Sequence, residues 1–161
     1  MLIKTRNFGE LELPEEKMIN FPNGLIAFED MKHFFVIEND DKEIPICWLQ
    51  SAEKPDLAFA VMNPFLIKHD YEFELSAADR EELGIKNTKE VAVFSIVVIP
   101  GDIRQLTTNL LAPLVINVSR KNGKQIVLQD KRYTINHSIL EELRSNERGG
   151  VLHAGADKEA E

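Results

Sequence analysis

The longest apolar stretch of the chain, Val91 to Ile99, predicts a β-strand at the centre of the fold. Its sequence, VAVFSIVVI, is mostly β-branched, and Pro100-Gly101 follows it as a turn signal. A continuous apolar run of this length is typical of a strand that is buried on both faces. We therefore expect the hydrophobic core to be built around this segment.

Shorter apolar or alternating segments predict further strands. Within Tyr71 to Leu75, apolar side chains alternate with Glu72 and Glu74, so one face of this strand is expected to be wet and acidic. Polar and proline-marked turns separate the other segments. These other predicted strands are Lys4 to Leu11, Phe34 to Glu38, Ile46 to Gln50 and Leu57 to Met62.

One α-helix has clear boundary signals. Ser76 and Asp79 have capping-box spacing, residues 77–83 favour a helix, and Gly84 suits its C-terminal end. Many short strands with only one or two short helices predict an all-β, mainly antiparallel fold rather than alternating βαβ units. We expect a small closed or nearly closed β-barrel.

Asn122-Gly123 predicts a β-hairpin, because both residues tolerate positive φ. The expected strands are Leu114 to Ser119 and Gln125 to Leu128. A strict two-residue turn would mix polar and apolar side chains on one face, so a bulged hairpin is predicted. The apolar residues that a bulge would bring to a common face are Ile116, Val118, Ile126 and Leu128.

Length and composition indicate one domain. The chain has 161 residues, 43% of them hydrophobic, which is enough to form a core without disulfides or metals. We place this domain at residues 1–143. Residues 144–161 contain Gly149-Gly150, many charges and few large apolar groups, and are predicted to form a disordered tail.

The charge balance disfavours direct binding of nucleic acid. Lys and Arg total 19 against 27 Asp and Glu, which gives a net charge of −8. The same excess would attract a basic protein. Cys47 is the only cysteine, and neither a signal peptide nor a membrane-length apolar run occurs. A cytoplasmic protein that does not associate with membranes is expected.

Nothing in the sequence points to an enzyme, a metal site or a cofactor. The four histidines are scattered singly, and no phosphate-binding or nucleophile motif occurs. Cys47 could serve as a nucleophile, but its apolar context in Ile46 to Leu49 favours a buried core cysteine. Acidic pairs such as Glu81-Glu82 could act in acid–base chemistry, although solvated carboxylates explain them better.

Three motifs are richer than a plain barrel requires: Phe21 to Phe28, Leu49-Gln50-Ser51, and Thr107 to Pro113. They are explained either by turn chemistry with core anchors or by recognition loops. In the third motif, Leu110 and Leu111 are expected to be partly exposed, which would suit a partner helix.

In their order and spacing, these motifs resemble the FliW family of flagellar assembly factors. The resemblance covers roughly residues 1–140, and its most specific part is TNLLAPLVIN at Thr108 to Asn117, together with the Phe-Pro-x-Gly-Leu motif that begins at Phe21. Ala27 departs from the family pattern, which usually has glycine there. The tail after about Leu143 matches nothing in that pattern.

The resemblance implies a non-enzymatic regulator that exchanges protein partners. Such a protein binds the RNA-binding translational repressor CsrA and so antagonises repression of flagellin synthesis. It also binds flagellin in the cytoplasm, which releases CsrA. A monomer without cofactors is expected.

Eight residues are predicted to contact partners. Four of them would form a polar rim, and Leu110 would be the apolar anchor. The alternative is a barrel that binds a small ligand in an enclosed apolar pocket, whereas we predict a filled interior. The eight residues are Phe28, Glu72, Glu74, Asp102, Arg104, Asn109, Leu110 and Leu111, with Glu72, Glu74, Asp102 and Arg104 as the rim.

Overall fold

A computed structural model describes residues 1–41 and 45–147, and short strands make up most of its regular structure. One helix, α1, spans Ala77–Leu83, and residues 139–147 form a second helical stretch, α2. The strands are β1 Leu2–Thr5, β2 Gly9–Glu12, β3 Ile19–Asn20, β4 His33–Ile37, β5 Ile46–Ser51, β6 Ala58–Met62, β7 Val91–Val98, β8 Thr107–Thr108, β9 Leu114–Asn117, β10 Asn122–Gln125 and β11 His137–Ser138.

Seven strands close into a barrel in the order β7-β6-β5-β4-β3-β10-β9, with β9 pairing back onto β7. All of these pairings are antiparallel except that of β10 with β3, which is parallel and rests on the single pair Asn122 and Asn20. Strands β8 and β11 extend the sheet beyond β7, and β1 and β2 form a separate hairpin. The predicted closed β-barrel is confirmed.

The barrel interior is filled by its own side chains, as predicted. Phe21 and Phe34 meet edge to face, with ring centroids 5.6 Å apart, and neither ring is exposed. Closely packed aromatic and branched side chains leave little room for a ligand at this position. The buried residues of this cluster are Ile19, Phe21, Leu25, Phe34, Leu49, Val61, Leu114 and Ile116.

The prediction that β7 is buried on both faces is only partly right. Ala92, Phe94 and Ile96 pack against the barrel interior. At the other end, however, Val98 is 58% exposed, and Ile99, just after the strand, is 51% exposed. The run therefore continues past the covered part of the sheet, which hydrophobicity alone does not reveal.

Two further strand predictions are corrected. The segment from Lys4 to Leu11 is a hairpin rather than one strand, because Thr5 Oγ1 accepts from Phe8 N–H at 2.8 Å and donates to the Gly9 carbonyl at 2.8 Å. The segment from Tyr71 to Leu75 forms no strand. The other three predicted strands are present as β4, β5 and β6.

Helix α1 has the predicted boundaries. Ser76 Oγ accepts from Asp79 N–H at 3.1 Å, and Gly84 ends the helix with φ of 68°. Helix α2 is fixed to the body where Asn146 Nδ2 donates to the Ile67 carbonyl at 2.6 Å. It extends past the predicted domain boundary at residue 143, and the predicted tail from residue 148 onwards lies outside the described residues.

The predicted hairpin is present, but its turn lies earlier in the chain. Asn117 pairs with Asn122, so residues 118–121 form the turn and Asn122-Gly123 begins the return strand. Asn117 Oδ1 shapes this turn by accepting from the N–H groups of Ser119 and Arg120. The predicted bulge and the predicted common apolar face are therefore both wrong, because the register from Asn117 to Leu114 is uninterrupted. Ile116 faces the barrel interior, Val118 is exposed, and Ile126 and Leu128 pack in a different cluster.

That second cluster covers part of the outside of the barrel, where Leu83 of α1 and Val115 of β9 meet. Its other buried members are Tyr71, Leu110, Ile126, Leu128 and Tyr133. In the described part of the chain, no helix has the length and hydropathy needed to cross a membrane.

Candidate functional site

A groove of about 1060 Å³ lies beside this second cluster, on the outside of the barrel. One side is the segment from Tyr71 to Leu75, and the other is the region from α1 to the start of β7. The groove is open to solvent and largely apolar. Its principal apolar side chains are Phe65, Phe73, Leu75, Ile85, Val91 and Val93.

Two tyrosines anchor the segment from Tyr71 to Leu75, which forms the first side of the groove. The Tyr71 hydroxyl donates to the Leu110 carbonyl at 2.6 Å, and the Tyr133 hydroxyl accepts from Glu72 N–H at 3.0 Å. Their ring centroids are 4.7 Å apart in an edge-to-face contact. Burial raises the pKa of Tyr71, because the ionised phenol would lose hydration there. The two tyrosines therefore fix the start of this segment against the barrel.

The same side of the groove carries the acidic charge predicted for it. Glu72 and Glu74 are both exposed. Glu72 Oε1 lies 3.4 Å from Arg132, which pairs more closely with Asp130 at 2.7 Å. Hydrogen bonds from Arg132 lower the pKa of Asp130. Because Asp130 takes most of the guanidinium contacts, Glu72 and Glu74 keep negative potential at this rim.

Basic residues line the opposite side. Arg80, Lys86 and Arg120 all border the groove there, together with Glu81. The Arg120 guanidinium lies directly against Gly84, where a β-carbon would clash with it. Glycine at this position thus both ends α1 and makes room for the arginine. The groove is therefore apolar along its floor and oppositely charged at its two sides.

Helix α1 is attached to the barrel by a small ionic network. Lys124 Nζ of β10 lies 2.7 Å from both Asp79 and Glu82, and Asn23 Nδ2 donates to Glu82 at 3.1 Å. Hydrogen bonds from Lys124 lower the pKa of both carboxyl groups, and hydrogen bonds to them raise the pKa of Lys124. This network fixes one side of the groove relative to the barrel wall.

The structure does not bring all the predicted contact residues together. Glu72 and Glu74 line the groove, whereas Asp102 and Arg104 form an ion pair at 2.9 Å between β7 and β8, outside the groove lining. Phe28 is half-buried and packs edge to face on Phe59, with ring centroids 5.3 Å apart. These residues therefore do not form a single binding face.

The prediction that Leu110 is a partly exposed anchor is wrong. Its side chain has 0% exposure, whereas Leu111 is half-buried. Asn109 Oδ1 accepts from the N–H groups of Leu111 and Ala112 at 3.1 and 2.9 Å, and Leu110 N–H donates to the Thr134 carbonyl. These bonds turn the loop so that Leu110 enters the second cluster.

Several side chains of the three motifs stabilise loops instead of presenting a surface. Gln50 has 0% exposure, and its Nε2 lies 3.1 Å from the carbonyl oxygens of Ser51 and Leu57. Thr108 is equally buried and donates to Ser95 Oγ at 2.7 Å. Turn chemistry and core anchoring therefore explain these residues.

Cys47 is half-buried rather than fully buried, and it packs against the barrel core. No group of three potential metal ligands occurs among residues 1–41 and 45–147.

Sequence reasoning missed the apolar floor of the groove and its basic side. Phe65, Ile85, Val93 and Arg120 come from four separate segments, and none lies in the three motifs. The only local signal was the alternation in Tyr71 to Leu75, which correctly indicated one acidic face. The groove itself depends on how α1 packs.

Sequence comparisons identify proteins that are similar to this chain. The family model described as FliW protein matches residues 2–139. A flagellar assembly factor FliW from Alkaliphilus metalliredigens is 43% identical over 162 aligned positions, which cover 98% of this chain and 100% of that protein. The flagellar assembly factor FliW of Caldicellulosiruptor saccharolyticus is 46% identical over 145 positions, covering 90% of this chain and 94% of the relative.

A solved structure is also similar. The crystal structure of a flagellar assembly factor FliW matches with a TM-score of 0.80 and 32% sequence identity, covering 86% of this chain and 96% of the other. The sequence is thus shared along nearly the whole length of the two relatives, and the fold along nearly the whole of the solved structure. The chain belongs to the FliW family of flagellar assembly factors.

Proposed function

We propose that this protein is a non-enzymatic regulator that exchanges two protein partners in the cytoplasm. It binds the translational repressor CsrA and prevents CsrA from repressing flagellin synthesis. Newly made flagellin binds the protein in turn and releases CsrA. The observation that carries this proposal is the family match across residues 2–139.

The charge of the chain supports the CsrA contact. A net charge of −8 attracts a basic RNA-binding protein over long range, and the attraction weakens as salt screens it. An acidic protein bound to such a repressor also adds negative potential that disfavours RNA nearby. This electrostatic contribution needs no particular pocket, and it makes a salt-dependent association the expected behaviour.

The groove supports the flagellin contact, because a protein partner needs accessible apolar surface in order to bury area on binding. Phe73 and Leu75 supply such surface outside the filled barrel. The filled interior also argues against the alternative of a barrel that encloses a small ligand. Exchange of partners requires only a difference in affinity, and a tenfold difference is about 1.4 kcal/mol.

The test is a calorimetric titration of the protein with purified CsrA at low and high salt, followed by addition of flagellin. We expect CsrA binding that weakens at high salt, and release of CsrA when flagellin is added. An unrelated basic protein of similar size serves as the control for non-specific attraction. If neither CsrA nor flagellin binds, or if the control binds equally well, the proposal is wrong.

A further inference from the structure

The segment that borders the groove on its acidic side has backbone groups that find no partner among the residues the structure describes. Side chains alternate along it, with Glu72 and Glu74 exposed and Phe73 and Leu75 half-buried, which is the period of an extended chain. The N–H and C=O groups of Phe73, Glu74 and Leu75 form no hydrogen bond with any residue that the structure describes. The segment is therefore strand-like, but it has no neighbouring strand within the described part of the chain.

Both ends of this segment are fixed. At one end, Tyr71 is buried and its hydroxyl donates to the Leu110 carbonyl. At the other end, Ser76 caps α1 through its contact with Asp79. A short chain held at both ends loses little conformational freedom when it pairs, so the segment is preorganised for binding.

We propose that residues 72–75 are an open β-edge to which an extended segment of a partner protein adds as a strand. Glu72 N–H is already directed to Tyr133. In an extended chain the backbone groups of successive residues point to opposite edges, so Phe73 and Leu75 present theirs at the edge away from Tyr133. Main-chain hydrogen bonds at that edge provide the affinity, as in other cases of strand addition.

The side chains around this edge define the chemistry of the partner. Residues of the added strand that lie beside Phe73 and Leu75 enter the apolar groove, where Ile85 and Val93 receive them. Residues on the other face lie beside Glu72 and Glu74, so lysine or arginine is favoured there. The partner segment therefore alternates apolar and basic residues.

A partner helix fits this site less well than a strand does. The backbone groups of a helix are satisfied internally, so Phe73 and Leu75 would gain no main-chain partner. Leu110, the expected anchor for a helix, is buried. The inference deepens the proposed function and rests on it only in that a partner protein supplies the segment.

The experiment uses the full chain and a short synthetic peptide that alternates valine and lysine. Calorimetry should show binding, and amide exchange followed by NMR should show the Phe73 and Leu75 amides becoming protected in the complex. Two further peptides carry N-methyl groups, one on the valines and one on the lysines. We expect only one of them to lose binding, because a single edge of the added strand is hydrogen-bonded.

Protein variants separate binding at this edge from non-specific electrostatic attraction. Glu74→Lys should weaken peptide binding about tenfold, whereas Glu16→Lys, an equal charge change at an exposed residue outside the groove lining, should change it little. Absence of peptide binding, equal binding of both N-methylated peptides, or unchanged exchange of the Phe73 and Leu75 amides would overturn the inference. The titrations with CsrA and flagellin test the proposed function separately, so failure of one does not imply failure of the other.

Discussion

Ala27 adopts a backbone conformation that non-glycine residues seldom occupy. It lies in a tight turn in which Phe28 N–H donates to the Leu25 carbonyl at 2.7 Å, and its φ is 71°. The left-handed conformation costs an L-residue with a β-carbon roughly 1–2 kcal/mol, whereas glycine adopts it freely. A glycine at this position would therefore avoid a cost that Ala27 carries.

Ala27→Gly is therefore expected to stabilise the protein. Relief of the left-handed conformation outweighs the extra entropy of glycine in the unfolded chain, about 0.4–1 kcal/mol, so the free energy of unfolding should rise by up to about 1.5 kcal/mol. Urea unfolding measures this change as a higher midpoint with an unchanged slope. Ala78→Gly, within α1, is the matched control and should lower stability by about 1 kcal/mol. A decrease for both variants would contradict the interpretation.

At the scale of elements, the attachment of α1 to the barrel depends on Lys124. Its Nζ lies 2.7 Å from the carboxyl groups of both Asp79 and Glu82. Lys124→Met keeps most of the apolar stem and removes the charge. At neutral pH we expect a loss of about 1 kcal/mol or less, as is usual for partly exposed ion pairs.

The pH dependence of that loss has a defined sign. The folded-state pKa values of Asp79 and Glu82 are lowered from their ordinary values of 3.8 and 4.5, so the ionic contribution is present above those values and is lost as pH falls through the lowered ones. The pKa of Lys124 is raised from 10.5, so its contribution is lost only at higher pH. Unfolding curves of wild type and variant should therefore differ at pH 7 and converge in strong acid. A constant difference down to acid pH would exclude this mechanism, and Lys131→Met, an exposed lysine, is the control.

The elements that sequence predicts best are those with local signals. Helix α1 was predicted correctly because Ser76 and Gly84 fix its two ends within a few residues. The hairpin turn was misplaced because Asn122-Gly123 does not form the turn but begins strand β10. Gly123 is buried against Phe21, a contact between residues far apart in sequence. Asn117, which does form the turn, has no comparable local signature.

The same distinction applies to the candidate site. The acidic alternation at Glu72 and Glu74 was visible in the sequence and lies at the groove. The opposite side, with Arg80 and Arg120, exists only because α1 and the turn after β9 meet there. Likewise, the alternation in Tyr71 to Leu75 predicted a strand, but pairing requires a neighbouring strand, and residues 1–41 and 45–147 supply none. A local pattern shows that a segment can pair as a β-strand, whereas the presence of a neighbouring strand depends on the assembled fold.

At the scale of the whole molecule, the barrel has one narrow seam, between β3 and β10. Their pairing is confined to Asn20 and Asn122, with Asn20 N–H donating to the Lys121 carbonyl at 2.8 Å. Beside it, Phe21 crosses over Gly123 at so short a distance that a β-carbon there would lie 2.6 Å from the Phe21 ring. Closure of the barrel therefore depends on the absence of a side chain at residue 123.

Gly123→Ala should destabilise the molecule by opening this seam. Phe21 and Ile116 are both buried, and Ile116 Cγ1 would lie 3.1 Å from the added carbon, so neither can yield without disturbing the core. Overpacking of this kind costs about 1–3 kcal/mol, measured as a lower urea midpoint. Gly101→Ala is the control and should be nearly neutral, because its β-carbon would meet nothing within 4 Å. Faster amide exchange at Asn20 in the Gly123 variant would locate the effect at the seam, whereas equal stability of the two variants would show that the barrel does not depend on this contact.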